Sequence, residues 1–123
     1  MYNSKPSQEG FLKTTEIMNK PTADQITPEL IEQWKKQHGT VLVFRAGEDK
    51  DKKVGYFHTP TRKAYSYASV AGQKDPMEFN TILFKESFLG GDIEIIENND
   101  YFMSISQNVE KLMNLMVVEV EKL

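Results

Sequence analysis

The chain has 123 residues, a formal net charge of −3, 39% hydrophobic and 27% charged residues, and no cysteine. This length fits one domain that buries roughly two-thirds of its unfolded surface, and lack of cysteine excludes disulfides, thiolate metal sites and a cysteine nucleophile. Residues 1–63 carry a formal +3 and residues 64–123 a formal −6, so the second half does not suit a nucleic-acid surface and the basic excess of the first is too small to propose one.

Residues 1–20 read as a polar arm ahead of a single domain at 21–123, with Phe11 and Leu12 able to dock. The arm lacks the apolar core of a signal peptide, and no run in the chain approaches the roughly 18 apolar residues of a membrane-spanning helix, so the expected location is cytoplasmic. The first well-signalled element is a helix over 28–38. Thr27 is its N-cap, Pro28 occupies the first helical position, and Gly39 stops it. Leu30, Ile31 and Trp34 share one face of this helix, and Lys35, Lys36 and His38 complement its negative end.

A β-branched and aromatic run follows at 40–46. A charged turn at 47–52 and a second strand-like run at 53–58 complete an antiparallel hairpin, which Thr59-Pro60 ends. Helical spacing resumes at about 61–73, with Ala64, Tyr67, Ala68 and Ala71 on one side. Asp75-Pro76 restarts a helix over about 76–89, whose buried side is Phe79, Ile82, Leu83, Phe88 and Leu89 and whose stop is Gly90-Gly91. The segment 92–99 fits a short strand or a helical turn equally. The spacing of Ile105, Val109, Leu112, Met116, Val120 and Leu123 predicts one long helix over about 99–122, with Met113, Val117 and Val118 widening its apolar stripe. The expected architecture is α+β, a small antiparallel hairpin or sheet covered by helices.

Chemistry is sparsely signalled. His38 and His58 have no local metal-ligand spacing with Asp49 or Asp51, and read as a helix end and a strand end. Ser66, Ser69 and Thr59 can be matched with His58 on paper, but no Gly-x-Ser-x-Gly turn is present. Asp92, Glu94, Glu97 and Asp100 form a loose acidic set that does not match a calcium loop and reads as a solvated face. Gly90-Gly91 has no phosphate-loop lysine after it. The expectation is no catalytic residue, no cofactor and no metal. Tyr56, Phe57, Tyr65 and Tyr67 gather around Pro60 beside Arg62, and at least half of these aromatic residues should be core. The candidate partner-binding residues are Tyr56, Arg62, Met113, Met116, Val117 and Val120, because arginine and exposed aromatic or aliphatic side chains anchor interfaces.

The stretch Gly55-Tyr56-Phe57-His58-Thr59-Pro60-Thr61-Arg62-Lys63-Ala64 resembles a pattern of small phage proteins, in which an extended segment with proline and arginine leads into an alanine-rich helix. Asp75 to Leu83, Gly90-Gly91-Asp92 and Val109 to Leu123 continue the likeness across roughly residues 27–123. The group it resembles is the tail-assembly chaperones of long-tailed bacteriophages. That resemblance implies a non-enzymatic viral protein that binds the tape-measure or tail-tube protein in the host cytoplasm and transfers no active site. Homo-oligomerisation through the C-terminal helix is a further expectation, with no nucleic acid and no membrane as partner. The alternatives are a virion structural accessory subunit, a small acidic inhibitor of a host defence protein, and an enzyme built around His58, Arg62 and the 92–100 carboxylates.

Overall fold

The computed structural model describes residues 17–123. Among the described residues, six α-helices from Pro28 onward surround a three-stranded antiparallel sheet: α1 (Pro28–His38), β1 (Val41–Ala46), β2 (Lys53–His58), α2 (Arg62–Lys74), α3 (Pro76–Ser87), β3 (Phe88–Gly91), α4 (Glu94–Glu97), α5 (Asn99–Ser106) and α6 (Val109–Met113). The α+β reading therefore holds. Phe11 and Leu12 lie outside the described residues. Ile17, within the arm expected at 1–20, is only 1% exposed and belongs to the core.

Local chemistry explains the helix starts. Thr27 accepts a hydrogen bond from Leu30 N, Thr61 from Ala64 N, Asp75 from Met77 N, and Asn98 from both Asp100 N and Tyr101 N. Each cap satisfies backbone donors that have no partner within the helix. α2 and α3 form a tight pair, and Gly72 permits it, since a Cβ there would stand 3.1 Å from that of Phe79.

The sheet order is β1-β2-β3, with Val43 opposite Tyr56, Leu42 opposite Phe57, and Phe57 opposite Phe88 across a bulge after Tyr56. Side chains alternate between the two faces. On one face, Phe44, Phe57, Phe84, Phe88 and Phe102 form an edge-to-face aromatic cluster with centroid separations of 5.3–5.7 Å, a geometry that adds to the stabilisation from burial. The other face is covered by α1. Trp34 lies 5.8 Å from Tyr56, and His38 stacks on His58 at 4.4 Å with the rings 10° from parallel.

Two expected helices are corrected. The helix expected over 76–89 ends at Ser87, and Phe88–Gly91 is a strand on β2. Phe88 and Leu89 are buried there, as they would be in a helix, so hydrophobic pattern alone cannot separate the two. The single helix expected over 99–122 is two short ones. Asn108 breaks the run, and Asn114 ends α6 in the left-handed conformation at φ 52°. Residues 115–123 have no helix or strand. Their valines gain little from helix formation, because no domain surface faces them to bury an apolar stripe. The undecided segment 92–99 contains a helical turn, α4.

Candidate functional site

The six candidate residues fall in three places. Tyr56 is half-buried under α1 beside Trp34, on the sheet face away from the aromatic cluster. Arg62 and Met113 come together in one cleft. Met116, Val117 and Val120 lie beyond it on the trailing segment, 88%, 96% and 89% exposed. Their expected setting on a helix face is wrong, because that segment is not helical.

The cleft forms where α2 begins. Pro60 and Thr61 turn the chain out of the sheet, and the Thr61 cap fixes the first turn of α2, so Arg62, Tyr65 and Ser66 line one side. Met113 and Leu115 close the other, at the point where Asn114 ends α6. The open cleft has a volume of about 510 Å³. Arg62 is exposed and makes no ion pair with a described residue. A second hollow, lined by Lys63, Ser66, Tyr67 and Val70, shares Ser66 with the cleft, so the solvent face of α2 continues it. Tyr65 and Val70 are exposed there, and α2 contains no acidic residue. The surface thus combines apolar side chains with the positive charge of Arg62 and Lys63. It suits an apolar segment with acidic neighbours.

The other constellations have structural roles or remain dispersed. Asp92 clamps the sheet: its Oδ2 accepts from Val54 N at 2.9 Å, and its own N–H donates to Val54 O at 2.7 Å. Glu94, Glu97 and Asp100 are exposed, and the Asp100 N–H is taken up by the Asn98 cap. Among the described residues, no group of three or more His, Asp or Glu could hold a metal ion, and no helix is long and apolar enough to cross a membrane. Of the aromatic residues around Pro60, Phe57 is core, Tyr56 and Tyr67 are half-buried and Tyr65 is exposed.

The His38–His58 stack was not legible in the sequence, because its members sit at the ends of different elements. His58 Nδ1 lies 2.8 Å from Thr59 O and donates to it, leaving Nε2 as the acceptor. Partial burial against the sheet holds the pKa of His38 below its ordinary value, reinforced by His58 and Lys20. Leu115 also escaped sequence reasoning, since a helical stripe through Met116 turns it away from the others. Comparison with protein-family models, with curated proteins and with solved structures gives no match to this chain.

Proposed function

We propose that this protein works by binding other polypeptides, through the cleft at the start of α2 and the segment that leaves it after Asn114. The observation that carries this reading is the solvent-facing apolar surface there: Leu115, Met116, Val117, Val118, Val120 and Leu123 are all exposed, at 71–107%. A contiguous apolar surface of this kind is costly in water and marks an interaction site. The cleft supplies the features of an anchor pocket, an exposed tyrosine and an arginine free for a partner carboxylate.

The resemblance to tail-assembly chaperones names the partners to test first, the tape-measure and tail-tube proteins of the same genome. The full chain, immobilised, should capture one of them saturably. Tyr65→Glu and Arg62→Glu should each weaken capture by roughly tenfold or more, the loss typical of an interface anchor, with the circular dichroism spectrum unchanged. Capture of neither protein, or capture by both variants as strong as by the wild type, would contradict this reading.

A further inference from the structure

The sheet has two edges, and they differ. At the β3 edge the N–H of Gly91 donates to Pro21 O at 2.9 Å, so the segment before α1 covers it. The β1 edge has no such cover: no backbone hydrogen bond from Val41–Ala46 to anything but β2 is present among the described residues. An uncovered edge strand is a template for another strand. Val43 is 37% exposed on it, and its one charge is Arg45, which makes no ion pair with a described residue.

The same chain carries an apolar segment outside any helix or strand. Past Asn114, whose N–H donates to Lys111 O, no backbone hydrogen bond to residues 115–123 is present among the described residues. Extended, this segment places Met116, Val118 and Val120 on one side and Val117, Glu119 and Glu121 on the other. The β-branched content suits a pleated sheet better than a helix.

We propose that Met116–Val120 adds as a strand to the open β1 edge of a second copy of this chain, parallel to β1, with Val117 beside Val43 and Glu119 beside Arg45. The proposal rests on the reading of the trailing segment as a binding segment. The register follows from side-chain matching. On the core-facing row it sets Met116 by Leu42, Val118 by Phe44 and Val120 by Ala46, all of which are apolar. On the other row it sets valine by valine and carboxylate by guanidinium. An antiparallel strand that keeps Glu119 by Arg45 puts Glu121 across from Val43 and Val117 across from Gly47, which pairs worse on both counts. Among its described residues, every copy holds one donor segment and one open edge, so exchange between copies satisfies both. Leu115 and the cleft stay outside the paired register, and the cleft remains available to a different partner.

The test uses the full chain and its variants in sedimentation equilibrium. The wild type should self-associate. Val118→Pro, which removes a ladder N–H from a segment outside the subunit fold, should abolish association and leave the circular dichroism spectrum unchanged. Glu119→Arg and Arg45→Glu should each weaken association by roughly five- to tenfold, and the two together should restore it. Because the chain has no cysteine, Val43→Cys and Val117→Cys in one chain should be joined between copies by a short bis-maleimide. A wild type that is monomeric at every concentration, a cross-link formed only within one chain, or association unaffected by Val118→Pro would each overturn the proposal. Arg62→Glu and Tyr65→Glu should leave self-association intact. Partner capture without self-association therefore refutes strand exchange alone, and self-association without capture refutes the proposed partner alone.

Discussion

His38 sets a pH response. The folded pKa of His38 lies below its unfolded value, which is about 6.5. The unfolded chain therefore binds the proton more readily, and the stability tied to this group is present above about pH 6.5 and lost as pH falls through the folded pKa. The melting temperature should drop between pH 7.5 and pH 5.5, and His38→Gln should drop less across the same interval; equal drops would remove the stack from the account. Gly91 is a second constrained position. It sits at φ 124°, and a Cβ there would strike the Val54 carbonyl oxygen. Gly91→Ala should cost more than about 1 kcal/mol in urea denaturation. Ser87 tests the opposite sign. It is fully buried, with no hydrogen-bond partner for Oγ among the described residues, so Ser87→Ala should leave stability unchanged or raise it by about 1 kcal/mol.

Among the elements, boundaries with chemical punctuation were legible in the sequence, both ends of α1 and the starts of α2 and α3. Thr27-Pro28 and Gly39 bracket α1, Thr61 opens α2, and Asp75-Pro76 opens α3, because capping is a local interaction that sequence displays directly. β3 was hidden, because its pairing with β2 is a contact between residues more than 30 apart and Phe88-Leu89 is buried in either conformation. The segment after α6, which has no helix or strand, was hidden for a related reason. A 3.6-residue repeat and a two-residue repeat both pass through Met116 and Val120, and only the absence of a facing surface decides between them. The candidate site was half legible: Arg62 and Met113 meet in the cleft, whereas Tyr56 serves the α1 contact. At this scale the aromatic cluster joins the sheet to α3 and α5. Phe84 touches Phe44, Phe57 and Phe102, so Phe84→Ala should cost about 3–5 kcal/mol. Ending the chain after Asn114 should leave the melting temperature of the dilute subunit within a degree or two of the full chain, because residues 115–123 are exposed and form no helix or strand.

For the whole molecule, the domain encloses its own core and, among the described residues, leaves two features incomplete, an apolar segment without a cover and a sheet edge without a strand. The cleft at the α2 N-terminus lies where that segment departs. The positive charge of Arg62 and Lys63 on the cleft side, against the formal −6 of residues 64–123, gives the molecule opposite charges for orienting partners during encounter. The most direct measurement is amide hydrogen exchange of the full chain, alone at low concentration and then with whichever proposed partner it captures at saturation. Binding at the cleft predicts slower exchange on partner addition in the first turn of α2 and at Met113–Leu115, with the β2 amides unchanged. Unaltered exchange at these positions in a saturated complex, with protection appearing elsewhere, would contradict the assignment of the binding surface.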